Sequence, residues 1–517
     1  MYWANFLHIY QPPTQTKRIL ERVVNESYRR IIAELKKAPD AKLTLNITSC
    51  LTELLDQHGF TDVIDDLKML LERGQVELTA SAKYHPLLPK IPRDEVIRQI
   101  KLDLETNRHY FGKAYNPRGF FPPEAAYNRE VAQIVADLGF EWILAEELSY
   151  NGQFGAVRWD RCYEISNLKS PPFAKASGGK QMSKPHLKSQ NLKIFFRERD
   201  SSFKILSGQL GTVKLFEDYL GERLNRNEYL LTAMDGETFG HHRPGMEKLL
   251  FEIYQSSRVR TVTISQLPEL FPKVETVKTI PSTWALMEKD IEKNAPFSRW
   301  DDPENEIHQL QWELTRLAID SVKNSKIGQQ VSAKFKVQSA KPSSKRKASK
   351  FLAFNSALTF DFCTLHLGEL SVKERQWLEA RKMLDKSLHS DQYWWASARP
   401  WWSLEMIERG ANELLETIKA VPDLPEAEKK RAQELYYRII TKGFEWQRTG
   451  KVEELARRED EEIRERTDEG LPKLPPEEID KMIANIRREM LEVAKKQEYE
   501  RAAQLRDRIR ELEEYKG

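Results

Sequence analysis

The chain has 517 residues, of which 40% are hydrophobic and 31% are charged, so it is long enough for roughly two to four domains and apolar enough to bury a core. No run approaches the roughly 18 uncharged apolar residues of a membrane-spanning helix, and the first residues lack the basic and apolar segments of a secretory signal. The three cysteines are far apart, which argues against a disulfide framework. Composition therefore predicts a cytoplasmic, enzyme-sized protein.

The formal net charge of +3 is unevenly distributed along the chain. Residues 165–197 contain seven basic and no acidic residues, and residues 321–360 contain nine basic and no acidic residues. The rest of the chain is therefore acidic, which argues against a general nucleic-acid-binding surface. The Lys-, Ser- and Pro-rich composition of the two stretches predicts two solvated inserts.

The first 300 residues alternate short apolar runs with amphipathic segments. Strands are predicted at Ala4–Ile9, Lys42–Ile47, Gln75–Thr79, Arg118–Phe121, Trp142–Ala145, Phe203–Leu206, Tyr229–Met234 and Thr261–Ile264. Helices are predicted at Thr61–Glu72, Arg93–Phe111, Arg129–Leu138 and Met246–Gln255. This alternation is typical of βαβ units and a parallel sheet. Because no Gly-rich nucleotide fingerprint is present, it favours a closed α/β barrel over a doubly wound sheet.

From about Trp300 the strand pattern stops and helical periodicity replaces it. Helices are predicted at Glu304–Val322, Ser371–Ser387 and Ser403–Ala420. The expected domains are a catalytic barrel at 1–300 with the insert at 165–197, a helical domain at 301–424 with the insert at 321–360, a charged helical segment at 425–469 and a helical hairpin at 477–515. The Pro-rich residues 470–476 are expected to form a linker before that hairpin.

Polar residues follow several of the predicted strands, and the carboxyl ends of barrel strands are where such folds carry their chemistry. Two prolines stop the fourth strand and present Glu124 rigidly. A later apolar run ends abruptly at Asp235. The candidate site residues from these strand ends are His8, Gln11, Glu77, His85, Glu124, Asp235, Glu237 and His241.

Two carboxylates on different strand ends are the minimum set for cleaving a glycosidic bond. One of them attacks or stabilises the anomeric carbon, and the other donates and then removes a proton. Several tryptophans follow the barrel segment, and indoles pack well against the C–H faces of sugar rings. We expect Trp284 and Trp300 to lie nearest the site, and the other tryptophans to join the helical region to the barrel.

Five segments of the chain resemble, in order and style, the five sequence regions of family 57 glycoside hydrolases. These segments are His8–Pro12, Gly74–Pro89, Pro122–Tyr127, Met234–His242 and Pro281–Trp300. That family contains α-amylases, 4-α-glucanotransferases, amylopullulanases and glycogen branching enzymes. The first segment departs from the usual His-Gln-Pro pattern and reads His-Ile-Tyr-Gln-Pro.

The resemblance implies an incomplete parallel (β/α)7 barrel, a retaining mechanism and no cofactor or obligatory metal. It implies that Glu124 is the nucleophile and Asp235 the general acid/base, and that His8 and His85 line the substrate site. The remaining candidates complete the predicted substrate-binding set. They are Gln11, Glu77, Glu237, His241, Trp284 and Trp300. Glu237 is expected to orient its neighbours through hydrogen bonds.

The C-terminal segment carries a second resemblance. Its apolar residues recur at helical spacing and form one stripe, consisting of Ile479, Ile483, Ile486, Met490 and Val493. A second helix follows, and the pattern is similar to the UVR motif of bacterial excision-repair proteins, with Tyr499 where Phe is usual. A hairpin of this size buries little by itself, so it is expected to pair with a protein partner or a second copy. The alternative is a plain coiled-coil tail.

The leading hypothesis is a retaining glycoside hydrolase or transglycosylase that acts on α-glucans or oligosaccharides through a covalent glycosyl-enzyme. One alternative is a metal-dependent carbohydrate deacetylase-type hydrolase that uses His8, His85, His241 and His242. The other is a non-catalytic glucan-binding scaffold that carries a UVR-type interaction module. The sequence leaves the glucan linkage and the ratio of hydrolysis to transfer open.

Overall fold

The computed structural model describes residues 1–168, 192–339, 370–399, 401–458 and 475–516. These residues form two compact units. The first unit comprises Met1–Ser81, Asp103–Trp284 and Leu471–Gly517, and the second comprises Ala82–Leu102 and Ala285–Gly470. Residues 169–191 and 340–360 of the two predicted inserts, residues 459–469 of the predicted charged segment and residues 470–474 of the predicted linker lie outside the described residues.

The strands of the described chain lie in the first unit. They are β1 (Tyr2–Ile9), β2 (Leu43–Ile47), β3 (Val76–Thr79), β4 (Gly119–Phe120), β5 (Trp142–Glu146), β6 (Cys162–Ile165), β7 (Lys193–Arg197), β8 (Tyr229–Asp235), β9 (Arg260–Thr261) and β10 (Val274–Val277). Parallel pairing runs from β8 through β1 and β2 to β3, and separately from β4 through β5 to β7.

Backbone hydrogen bonds join these two sheets into a ring of seven parallel strands. Ala80, which follows β3, donates to the carbonyl of Gly119 at 3.0 Å and accepts from Phe121 at 2.9 Å. Glu198, which follows β7, donates to the carbonyl of Leu231 in β8 at 2.8 Å. The predicted (β/α)7 barrel is thereby confirmed.

The strand prediction omits β6, β7 and β10 and misassigns one helix. Strand β7 lies inside the stretch predicted as the first insert, where the short apolar run Ile194–Phe196 is surrounded by basic residues. The segment Phe203–Leu206, predicted as a strand, belongs to a helix, Arg199–Leu206. The Glu198 side chain caps this helix by accepting from the Ser201 N–H at 3.1 Å, so a polar capping signal competes there with the apolar run.

Helices of the first unit follow the strands in the expected alternation. They are α1 (Lys17–Val23), α2 (Arg29–Lys37), α3 (Ser49–Gln57), α4 (Thr61–Glu72), α5 (Arg93–Phe111, of which residues 103–111 belong to this unit), α6 (Arg129–Asp137), α7 (Arg199–Leu206), α8 (Val213–Leu220), α9 (Glu247–Tyr254) and α10 (Leu267–Leu270). A π-helical turn, Val24–Tyr28, joins α1 to α2. Alternate residues of β1 face opposite ways, so Phe6 packs inside the barrel and Leu7 packs outside it.

The second unit is built mainly of helices. They are α11 (Glu288–Glu292), α12 (Glu306–Asn324), α13 (Lys326–Ser339), α14 (Val372–Ser387), α15 (Asp391–Trp394), α16 (Leu404–Ala420) and α17 (Glu426–Thr449). The three predicted helices of this region are confirmed as α12, α14 and α16. The end of α12 and helix α13 lie in the predicted second insert, so the insert prediction is wrong for residues 321–324 and 326–339. Among the described residues, no helix combines the length and apolar character needed to cross a membrane.

The C-terminal hairpin consists of α18 (Pro476–Lys495) and α19 (Tyr499–Lys516). The stripe residues Ile479, Ile483 and Ile486 are buried in the same apolar cluster as Leu7 and Met246. The hairpin is therefore part of the first unit, whereas the Pro-rich linker suggested a separate module. The stripe needs an apolar surface to cover it, and the helices around the barrel supply that surface.

Candidate active site

A layer of polar side chains lies at the carboxyl ends of the first strands. His8, Asn46 and Thr79 are register partners on β1, β2 and β3, and Asp235 is the partner of His8 on β8. The Nδ1 atom of His8 lies 2.8 Å from Asn46 Oδ1, and Asn46 Nδ2 donates to Thr79 Oγ1 at 3.0 Å. These hydrogen bonds hold the His8 ring in the same layer as Asp235.

Glu124 follows β4 in a strained backbone conformation. Its φ of 59° and ψ of 18° lie in the left-handed region, which costs a residue other than glycine about 1–2 kcal/mol. The indole Nε1 of Trp284 donates to Glu124 Oε2 at 2.9 Å, and the Trp284 backbone N–H donates to the Glu124 carbonyl at 3.1 Å. One residue thus fixes both the carboxylate and the backbone of Glu124.

Asp235 is the last residue of β8 and is half-buried. Burial raises the pKa of Asp235 to about 6, and the positive charge of Arg197 opposes this rise. A carboxyl group with a pKa in this range is protonated in a large fraction of molecules in mildly acidic solution, so it can serve as a proton donor.

Arg197 is a site residue that the sequence did not reveal. Its Nη1 donates to Glu146 Oε2 at 3.0 Å and to the Trp284 carbonyl at 3.3 Å. Arg199 contacts the same two residues, each at 3.2 Å. Burial lowers the pKa of Arg197, and the negative charge of Glu146 opposes this fall. The sequence did not predict Arg197 as a site residue, because its strand lies in the predicted basic insert.

Glu237 is buried two residues beyond Asp235. Its Oε1 accepts hydrogen bonds from the Tyr28 hydroxyl, from Gln11 Nε2 at 3.3 Å and from the Tyr10 N–H at 3.4 Å. Burial and the negative charge of Asp235 raise the pKa of Glu237 to about 8. These contacts fit the orienting role expected of Glu237. They also bring in Tyr28, for which the sequence held no signal.

Two predicted residues are engaged by other parts of the first unit. Glu77 lies in β3, two residues before the last residue of the strand. Its carboxylate accepts hydrogen bonds from Ser265 and, at 3.3 Å, from the Thr44 hydroxyl. His241 Nδ1 lies 2.5 Å from Oε2 of Glu26. These contacts serve the fold, and substrate binding by Glu77 and His241 stays a prediction.

Two other predicted residues belong to the second unit. The Nδ1 atom of His85 lies 3.0 Å from Ser390 Oγ, and burial lowers the pKa of His85 to about 4. Trp300 is fully buried, with its ring centroid 5.2 Å from that of Trp394. Their substrate contacts stay predictions as well.

The histidines named for the deacetylase-type alternative make their contacts with different residues. His8 faces Asn46, and His85 lies in the second unit. His241 faces Glu26, and its ring centroid is 5.3 Å from that of His242. Across the described parts of the chain, no group of three or more His, Cys, Asp and Glu side chains is arranged to hold a metal ion.

Two family models match parts of this chain. The model of glycosyl hydrolase family 57 matches residues 2–280, and the model of the UvrB/uvrC motif matches residues 480–515. An α-amylase of Pyrococcus horikoshii is 28% identical over 144 residues, which cover 28% of this chain and 22% of that protein. A 4-α-glucanotransferase of Thermococcus litoralis is 24% identical over 144 residues, covering 28% and 21%. The chain thus aligns with less than a quarter of the length of these curated relatives.

The fold has counterparts among solved structures. The branching enzyme of the same family from Pyrococcus horikoshii has a TM-score of 0.54 and 16% identity, with 86% of this chain and 94% of that chain covered. At this identity the likeness shows a shared fold. The family match spans more than half of the chain and includes the strand ends that carry Glu124 and Asp235, so the chain belongs to glycosyl hydrolase family 57.

Proposed function

We propose that this protein cleaves or transfers α-glucan chains with retention of the anomeric configuration, with Glu124 as nucleophile and Asp235 as general acid/base. The proposal is carried by the contrast between the two carboxyl groups. Glu124 is held by the indole N–H of Trp284, whereas burial raises the pKa of Asp235 to about 6. A retaining mechanism needs one carboxyl group fixed in place as the nucleophile and a second that can hold a proton.

In the first step, Glu124 attacks the anomeric carbon while Asp235 protonates the departing glycosidic oxygen. The products are a covalent glycosyl-enzyme and a shortened chain with a free hydroxyl group. In the second step, ionised Asp235 takes a proton from water or from an acceptor hydroxyl, whose oxygen attacks the anomeric carbon and releases Glu124. A retaining pair stands about 5–5.5 Å apart and an inverting pair about 6.5–9.5 Å. We expect the shorter distance around a bound sugar.

The neighbouring residues have supporting roles in this scheme. Arg197 opposes the rise in the pKa of Asp235, so its charge keeps that group able to lose the proton as well as to hold it. Glu237 carries a proton at neutral pH, given its pKa of about 8, so it adds little repulsion when Asp235 becomes ionised. His8, fixed by Asn46, is assigned a contact with the sugar.

The proposed substrate class draws on the relatives. One is named an α-amylase and another a 4-α-glucanotransferase, so a linear α-glucan is the first substrate to try.

A cytoplasmic location stays a prediction. A partner for residues 477–515 also stays a prediction. Because the first unit covers the apolar stripe, such a partner would bind the outer face, where Leu491 and Tyr499 are 55% and 68% exposed.

Incubation with maltoheptaose tests the proposal. Transfer gives both longer and shorter oligosaccharides, whereas hydrolysis gives shorter ones alone, and proton NMR of the first product reports an α-anomer if configuration is retained. Asp235→Asn, which lacks the proposed acid/base, is the matched control with strongly reduced activity. The proposal is wrong if the wild-type protein leaves maltoheptaose and glycogen unchanged, or if the first product is the β-anomer.

A further inference from the structure

The C-terminal hairpin meets the barrel beside the loop that follows Asp235. Arg501 of α19 is 4% exposed, and its Nη2 donates to the Gly240 carbonyl at 2.6 Å. The same guanidinium faces two carboxylates, Glu489 of α18 at 3.3 Å and Glu26 of the π-helical turn at 3.7 Å. One buried cation therefore joins the hairpin, the loop and the turn.

Gly240 is tightly packed at this junction. Its φ is +108°, and an added Cβ would lie 2.0 Å from the Glu26 carbonyl oxygen, so only glycine fits. The loop closes on itself through the N–H groups of His241 and His242, which donate to the Glu237 carbonyl at 3.1 and 2.8 Å. These hydrogen bonds tie the residues that follow Gly240 to the backbone of Glu237.

The π-helical turn Val24–Tyr28 holds the same loop from the other side. Three side-chain hydrogen bonds make the connection, and they join Glu26 to His241, Ser27 to Gly236 and Tyr28 to Glu237. Arg30, just after the turn, bonds Glu489 of the hairpin at 2.7 Å and Glu247 at 2.8 Å. The hairpin thus contacts the loop directly through Arg501 and indirectly through the turn.

We propose that Arg501 is a positioning residue for the reaction: through the Gly240 carbonyl and Glu26, the C-terminal hairpin fixes the loop 236–242 and so sets Glu237 beside Asp235. The inference rests on the proposed function. Removing the guanidinium leaves the Gly240 carbonyl without this donor and two buried carboxylates without one of their cations. The UvrB/uvrC-type hairpin therefore serves the catalytic loop of its own chain.

Full-length Arg501→Gln tests this role. We expect kcat on maltoheptaose to fall by about 10- to 100-fold, since small misplacements of catalytic groups have effects of this size, while KM changes by a few-fold at most. Arg501→Lys should recover part of the loss, because its ammonium group keeps the positive charge and can still donate a hydrogen bond. Arg506→Gln, an exposed position on the same helix, is the matched control and should behave as wild type.

Hydrogen exchange gives a readout independent of turnover. The amides of residues 236–242 should exchange faster in Arg501→Gln, while those of β2 and β5 keep their wild-type rates. Wild-type kcat in Arg501→Gln overturns the inference, and so does a uniform rise in exchange with no recovery in Arg501→Lys, because that result shows a purely structural role. Absence of glucan turnover in the wild-type protein is a different result and refutes the proposed function.

Discussion

The indole Nε1 of Trp284 donates a 2.9 Å hydrogen bond to Oε2 of Glu124, 160 positions away in the sequence. The carbonyl oxygen of the same tryptophan accepts from Arg197 at 3.3 Å and from Arg199 at 3.2 Å. Trp284 therefore links the proposed nucleophile to the arginine whose charge acts on Asp235. Both carboxyl groups of the proposed mechanism depend on the position of this one residue.

Trp284→Phe should lower kcat/KM by about 10- to 100-fold. The substitution keeps an aromatic ring but removes the N–H that bonds Glu124, and a hydrogen bond to a charged group is worth about 1.5–3 kcal/mol. Steady-state kinetics on maltoheptaose measure the effect. Trp159→Phe is the control. It makes the same substitution at a tryptophan whose ring packs against Tyr229. Equal rates for the two variants would show that the indole N–H has no catalytic role.

The pH dependence should identify Asp235 as the acid. Activity requires its protonated form, so kcat/KM should fall as pH rises through about 6, the pKa set by burial. Arg197 opposes the rise in this pKa, so Arg197→Gln should move the alkaline limb to higher pH. Arg199→Gln, which loses contacts with Glu146 and Trp284 as well, should leave the limb in place. A shift to lower pH in Arg197→Gln would contradict the electrostatic assignment.

Asp235→Asn should stabilise the fold at neutral pH while it lowers kcat by about 10²- to 10⁴-fold. The folded state raises the pKa of Asp235 from 3.8 to about 6. Between these values the folded chain binds more protons than the unfolded chain, so the free energy of unfolding falls as pH rises. An asparagine side chain does not ionise, so at position 235 it contributes no pH dependence to the free energy of unfolding.

Thermal melts at two pH values test this stability effect. The Tm of Asp235→Asn should exceed that of the wild type near pH 7, and the difference should shrink toward about pH 4. A variant that is less stable than wild type at neutral pH would mean that attraction to Arg197 outweighs the cost of burying the Asp235 charge.

Ile486→Ala should destabilise the whole first unit by about 2–4 kcal/mol, because Ile486 is buried where α18 meets the apolar cluster of the barrel helices. Leu491→Ala on the same helix is the matched control, since Leu491 is 55% exposed, and it should change stability by less than about 0.5 kcal/mol. Denaturant unfolding measures both. If Ile486→Ala produced a separate early transition of the hairpin alone, the hairpin would be an independent module.

The sequence predicts the barrel and its two carboxylates because both depend on local patterns. Apolar runs of strand length end at Glu124 and Asp235, and the carboxyl ends of parallel strands meet at one face. Arg197 could not be predicted in this way. Its strand is five residues long and lies among lysines and serines whose composition is that of an insert.

Residues that act through long-range contacts were also beyond the sequence pattern. Tyr28 reaches Glu237 from a π-helical turn 209 positions away, and nothing in the local sequence marks such a pairing. The stripe of the C-terminal hairpin is visible as an apolar period. The helical spacing of these apolar residues predicts that another surface covers them. Only the structure shows that this surface is the barrel of the same chain.

The most direct test of the central claim is to trap the covalent intermediate. A fluorinated α-glucosyl donor that forms the glycosyl-enzyme faster than it releases it should add one sugar unit to the wild-type protein, and mass spectrometry of the digested protein should locate that sugar on Glu124. Glu124→Gln should remain unlabelled and lose turnover of maltoheptaose. A sugar attached to a different carboxylate, or wild-type turnover by Glu124→Gln, would contradict the assignment of Glu124 as the nucleophile.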